Sequence, residues 1–146
     1  METLERLALL QKFIGKEFSV SPSPFMRWLK PVVVIAEAGH LEFSYLIRNE
    51  MTNPLGILHG GITAAIIDDL IGATLFTLSE RESYVTLNNV IDYFASAKEG
   101  EHIIAETQII KKGSQIVNMQ CEVWNERKTK LIAKGYSNMF KIAHKK

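Results

Sequence analysis

The residues with chemical potential lie together in the stretch NPLGILHGGITAAIIDDLIGATLFTL, residues 53–78. Two adjacent carboxylates, Asp68 and Asp69, interrupt an apolar run that opens on His59-Gly60-Gly61. Glycines at the head of a helix let the backbone turn sharply and leave its amides uncovered. The first-turn N–H groups and the positive end of the helix dipole can then hold an oxygen anion. Acyl transfer needs such a feature where negative charge develops on a carbonyl oxygen. Asp68, flanked by Ile66, Ile67, Leu70 and Ile71, is poorly solvated unless it opens on a cavity or finds donors, and it suits general-base or nucleophilic work.

Spacing limits how these groups cooperate. Gly60 and Asp68 are eight residues apart, which is ~12 Å along one helix at ~1.5 Å per residue. No single substrate carbon lies about 3 Å from both when one of them is a short aspartate. A two-fold dimer that brings Asp68 of one copy to Gly60 of the other would solve this. His59 and Asp68 stand about 900° apart around the axis and face opposite ways, so a shared metal is disfavoured.

The elements that must position these groups show as patterns. Leu4, Leu7, Leu9 or Leu10, Phe13 and Ile14 recur at three- and four-residue steps, which predicts an amphipathic helix over 2–17 within a leading segment 1–20. The run SPSPF at 21–25 stops it, and 25–31 reads as a short turn or irregular piece. Strand-like patterns run over 32–36 and 41–48, joined by a turn at 37–40; Leu41, Phe43, Tyr45 and Ile47 share one face, Glu42, Ser44 and Arg48 the other. A loop over 48–57, punctuated by Asn53, Pro54 and Gly56, leads into the long helix. Strands are then expected over 83–94, 102–112, 115–125 and 130–142, and their short connections imply an antiparallel meander. A helix apolar on almost every face must be covered all round. The economical cover is a curved antiparallel sheet wrapped about it, an α+β architecture.

Bulk composition narrows the classes. The 146 residues suit one domain, 1–146, with its core at 32–142, and 47% apolar residues are enough to hint at an oligomer. Seventeen Lys plus Arg against sixteen Asp plus Glu give a net charge of +1, no field for gathering nucleic acid or anionic membrane. The lone Cys121 cannot form an internal disulfide, and with four scattered histidines it gives no zinc spacing. Glu2 and Glu5, with no Lys-rich start or apolar core, argue against a signal peptide. Two central aspartates, each costing ~3 kcal/mol on the insertion scale, argue against a membrane span at 62–78. A cytoplasmic location is expected.

The run N-P-L-G-I-L-H-G-G-I-T-A-A-I-I-D, followed by the strand YVTLNNVIDYFASAKEGE and three more strands, resembles the hotdog-fold acyl-CoA thioesterases. The resemblance is to the PaaI-like branch, which includes the mammalian thioesterase superfamily members, and it spans 32–142. Its specific part is N-x-x-G-x-x-H-G-G-x(6)-D. The resemblance implies a catalytic acid nine residues after the histidine, on Asp68 and not Asp69. It places on Gly60 the helix-start amide that polarises the thioester carbonyl, on Asn53 an assisting loop amide, and on Thr86 a hydroxyl that helps place water. It also implies homodimers with sites at the subunit interface, paired into homotetramers, with coenzyme A entering as part of the substrate and no separate cofactor. Three features depart from the pattern: the second acid Asp69, Asn88 where some relatives carry an acid, and Ala95-Ser96-Ala97 where a proline is common.

The function so implied is hydrolysis of an acyl- or aryl-CoA to free acid and CoA, with Asp68 either activating water or attacking directly. Its rivals are a non-catalytic acyl-CoA-binding hotdog protein and a hotdog enoyl-CoA hydratase or dehydratase. Plain structural roles are also open to each residue. Asp68 can bond a loop, Asp69 can face an interface or solvent, and His59 can shape the glycine turn by donating to a loop carbonyl. Asn53 can start a turn before Pro54, and Thr86 can simply favour a strand. Residues 71–78 with Tyr93 and Phe94 supply apolar walls for an acyl group. Lys111, Lys112, Lys128, Lys130 and Lys134 are available to CoA phosphates, none standing out.

Overall fold

A computed structural model describes residues 4–143. Helix α1 covers only Glu5–Gln11, not the predicted 2–17, of which residues 2 and 3 lie outside the described residues. The apolar steps do continue to Ile14, but strand-type bonding claims the backbone beyond it. Gly15 N donates to Val33 O at 2.7 Å, Val33 N to Lys16 O at 3.1 Å, and Phe18 N to Pro31 O at 2.8 Å. Gly15 takes φ 81°, a conformation glycine adopts without strain.

The stretch expected to be irregular is instead helix α2, Pro24–Leu29. Ser23 caps it by accepting from Met26 N at 3.2 Å, Pro24 occupies the first turn, and Lys30 ends it at φ 54° just before Pro31. These are local signals, overlooked because the two prolines read as breakers. Met26 and Leu29 are the side chains it buries.

Six strands form one antiparallel sheet: β1 (Val32–Glu37), β2 (His40–Leu46), β3 (Ser83–Tyr93), β4 (His102–Lys112), β5 (Ile116–Asn125) and β6 (Leu131–Ile142). Their order is β1-β2-β4-β5-β6-β3. The last three strands in sequence form the expected meander. β3 does not join it through β4; it pairs only with β6, at the far edge. Residues 94–101 are not a tight turn but a link that runs back past the start of the long helix, where Leu58 N donates to Ala97 O at 2.8 Å.

That helix, α3 (Gly60–Phe76), touches β2 through β6. Ile66, Ile67, Leu70, Ile71 and Leu75 are fully buried, each contributing ~1.5–3 kcal/mol by leaving water. Cover is not complete all round, however. Ala64, Ala65, Asp68 and Gly72, at helical steps on one side, are only half-buried. Polar pins fix the helix along its axis: Thr74 Oγ1 lies 2.7 Å from Thr107 Oγ1, which accepts from Leu41 N at 3.0 Å, and Gly39 N donates to Thr77 Oγ1 at 3.0 Å. Among the described residues no helix is long and apolar enough to cross a membrane.

α3 packs tightly on the sheet at Gly135 of β6. A Cβ built there would lie 2.7 Å from Ile67 Cγ2 and 3.2 Å from its Cδ1. Gly135→Ala is therefore expected to cost about 1–3 kcal/mol by overpacking a stiff β-branched neighbour. A urea titration reads it as a lowered midpoint at unchanged slope; a midpoint equal to wild type would mean that the helix simply lifts away.

Candidate active site

The head of α3 is built by His59. Its Nδ1 accepts from Gly61 N at 2.8 Å, and its carbonyl takes Ile62 N at 2.9 Å and Thr63 N at 3.1 Å. The imidazole thus shapes the glycine turn as expected, but by accepting from it and not by donating to a loop carbonyl. Of the first-turn amides, Gly60 N–H has no partner among the described residues. This is the orphan donor a helix start leaves over. Tyr93 Oη donates to Gly60 O at 2.7 Å, and the tyrosine ring lies 3.5–3.6 Å from where a Cβ on Gly60 would sit. Tyr93, expected only as an apolar wall, is a clamp on the turn.

Asn53 starts a turn. Its Oδ1 accepts from Leu55 N at 2.9 Å and Ile57 N at 3.4 Å, which fixes the amide plane and commits the oxygen. Nδ2, the donor end, has no partner among the described residues. The loop closes back on the helix head through Asn53 N to Ile57 O and His59 N to Met51 O, both at 2.9 Å.

Asp68 stands two turns further along. Its Oδ1 accepts from Thr86 Oγ1 at 2.7 Å and from Asn89 Nδ2 at 3.1 Å, while Oδ2 has no protein partner among the described residues. Asn89 escaped the sequence reading for a physical reason. Strict alternation puts residues 86 and 89 on opposite faces of a strand. In β3, however, Thr86 pairs with Met139 and Asn88 with Asn138, so Leu87 is an extra residue. Such a bulge re-aims the side chains after it and brings both onto Asp68. No signal in Thr-Leu-Asn-Asn marks it.

Asp69 is not exposed, and no cation pairs with it among the described residues. Its Oδ2 is buried without a hydrogen-bond partner among the described residues, and Oδ1 receives only a long bond from Ser23 Oγ at 3.5 Å. Burial first, and then the charge of Asp68, push it up to about 7 against the slight opposing pull of Ser23.

A cavity of about 340 Å³ opens beside both acids, at the small end of ligand-pocket sizes. Thr86 and Tyr84 of β3 line one side, and Leu10 and Phe18 of the leading segment with Met26 of α2 close another. The structure brings Asp68 together with Thr86, and Asn53 with the Gly60 turn. It does not unite the two groups: Gly60 and Asp68 lie on one straight run of α3, ~12 Å apart in a single copy.

Elsewhere, His40, Glu42 and Glu106 hold ligand-type atoms within 4.8 Å of one another. Lys128 Nζ bridges both carboxylates at 3.0 Å, and His40 Nδ1 donates to Thr107 O at 2.6 Å. This accounts for Glu42, which is buried although expected on the polar face.

A six-stranded antiparallel sheet around one long helix, entered through a His-Gly-Gly turn, is the hotdog fold. The chain belongs to the thioesterase superfamily and is a thioester hydrolase: the pattern of that superfamily matches residues 55–132. Acyl-coenzyme A thioesterase 13 of Mus musculus is 31% identical over 112 residues, 76% of this chain and 80% of the mouse protein. The crystal structure of thioesterase superfamily member 2 from Mus musculus superposes with a TM-score of 0.79 at 26% identity, covering 95% of this chain and 98% of that one. The PaaI protein from the phenylacetic acid degradation operon of E. coli shares the fold with a TM-score of 0.81 over 97% of each chain, at 15% identity.

Proposed function

We propose that the protein hydrolyses acyl-CoA thioesters to the free acid and coenzyme A, at sites shared by two copies of the chain. The observation that carries this is the Asp68 carboxylate, with Oδ1 committed to Thr86 and Asn89 and Oδ2 open toward a largely apolar cavity. The name of the mouse relative supports a CoA ester as substrate.

In this reading the thioester oxygen accepts from Gly60 N–H and Asn53 Nδ2 of one copy. Asp68 Oδ2 of the other copy takes a proton from water as the water oxygen bonds to the carbonyl carbon. When the tetrahedral intermediate collapses, the C–S bond breaks and the same proton passes to the thiolate sulfur. Thr86 Oγ1 has lone pairs to spare for that water, which favours this route over direct attack by the carboxylate. The unpaired edge of β3 supports the dimer, since Leu87 and Val90 on it are 54% and 57% exposed in the single copy. A chain whose one cysteine is buried also suits a reducing compartment such as the cytoplasm.

The test is release of free thiol from a panel of acetyl-, octanoyl-, palmitoyl-, benzoyl- and phenylacetyl-CoA. Thiol appearing in step with loss of the thioester is the expected result. Tight binding of a CoA ester without thiol release, or hydration of crotonyl-CoA, would overturn the reading in favour of a sensor or a hydratase.

A further inference from the structure

At the head of α3 two consecutive peptide units offer four polar ends, and three of them are held. His59 O, in the first unit, takes Ile62 N at 2.9 Å and Thr63 N at 3.1 Å. In the second unit Gly61 N donates to His59 Nδ1 at 2.8 Å, and Gly60 O accepts from Tyr93 Oη at 2.7 Å. The fourth end is Gly60 N–H, which has no partner among the described residues. Each peptide unit is planar, so holding the carbonyl of one and both ends of the next leaves that N–H little freedom in direction.

Among the described residues, only one of these restraints comes from outside the turn. His59, Ile62 and Thr63 bond within the first turn, as a capped helix start does. Tyr93 arrives from the end of β3, 33 residues along the chain. Its bond does little for the fold, because the tyrosine is 53% exposed and water would serve Gly60 O nearly as well. What it supplies is restraint at a residue with no Cβ to narrow its own φ and ψ. The same strand serves the other half of the chemistry: Thr86 and Asn89, earlier in β3, hold Asp68 Oδ1. One strand thus braces both ends of the site-bearing stretch of α3.

Resting on the hydrolysis reading above, we propose that Tyr93 is a positioning residue for the reaction, holding Gly60 O so that Gly60 N–H is aimed at the thioester oxygen. In this role Tyr93 moves no proton and forms no bond to the oxyanion; it acts on direction alone. Full negative charge on that oxygen exists only as the tetrahedral intermediate forms, so a misdirected donor lowers kcat and spares KM.

Tyr93→Phe tests this, since it removes Oη and keeps the ring. With the best substrate of the thiol-release panel, kcat is expected to fall about tenfold to a hundredfold, the order for a group misplaced by about 1 Å. KM should stay within about twofold of wild type, and the thermal midpoint and sedimentation coefficient should match it. An unchanged kcat overturns the proposal, and so does a raised KM at unchanged kcat, which would make Tyr93 only a wall. Glycine-selective 15N labelling adds a readout that needs no turnover. The order parameter of the Gly60 amide is expected to drop in Tyr93→Phe from about 0.85, that of rigid backbone, toward about 0.6. If wild type releases no thiol from any CoA ester, the hydrolysis reading falls and the relaxation data decide alone. A Gly60 amide loosened in Tyr93→Phe then still upholds the positioning role, and one equally ordered in both proteins refutes it.

Discussion

Asp68→Asn lowers kcat for thioester hydrolysis by about 10²–10⁴-fold, the range of a lost general base, and leaves the fold in place. The reason lies in how the two carboxylate oxygens are used. Oδ1 holds the hydrogen bonds from Thr86 and Asn89, and an asparagine Oδ1 accepts both equally well. Only the oxygen that must take the proton is replaced, by an amide nitrogen with no lone pair to offer. KM should therefore move little, because the helix-head donors and the apolar walls are untouched. Asp69 cannot substitute, being about 100° further around the helix and turned into protein beneath Ser23. Thiol-release kinetics beside a thermal melt decide the matter. Turnover near wild type at an unchanged midpoint would remove Asp68 from the chemistry.

The second large effect concerns stability. Asp69 keeps its proton in the native state up to about pH 7, although an ordinary aspartate releases it near 3.8. Between those values the folded protein binds more protons than the unfolded chain, so stability falls as pH rises from about 4 to about 7 and then levels off. The full shift corresponds to roughly 4 kcal/mol, and partial solvent contact brings the expected loss to about 2–4 kcal/mol. Asp69→Asn keeps an acceptor for Ser23 and carries no charge to desolvate. Its thermal midpoint should gain on wild type by about 5–10 °C between pH 4 and pH 8, the gap opening across that window. A difference that stays flat with pH would show that the native carboxyl is ionised throughout. Asp68 and the buried Tyr45 hydroxyl are the titratable neighbours that share this field.

The placement of Asp69 also marks the limit of what could be read in advance. Its neighbours in sequence are as apolar as those of Asp68, and only the packing of Ser23, at the head of α2, puts one acid under cover and leaves the other open. Asn89 is a second case, brought to Asp68 by a bulge at Leu87 that depends on pairing with β6. The edge position of β3 is a third: adjacency in sequence suggested adjacency in the sheet, but the link through Ala97 is bonded to the head of α3 and carries the strand across.

What the amino-acid order determined by itself was everything set within a turn or a strand length. The His-Gly-Gly helix head, the nearly all-round apolar run of α3, the alternation in β5 and the reach of ~12 Å between Gly60 and Asp68 follow from local geometry that no partner element can alter. Helix α2 belongs with them, because its Ser23 cap and Pro24 start are also local. Tertiary structure decided the remainder: where α1 ends, which edge β3 takes and which acid is buried. Each of these depends on contacts between residues far apart in the chain, and a linear pattern carries no record of which distant surface will arrive to cover a side chain or leave it bare.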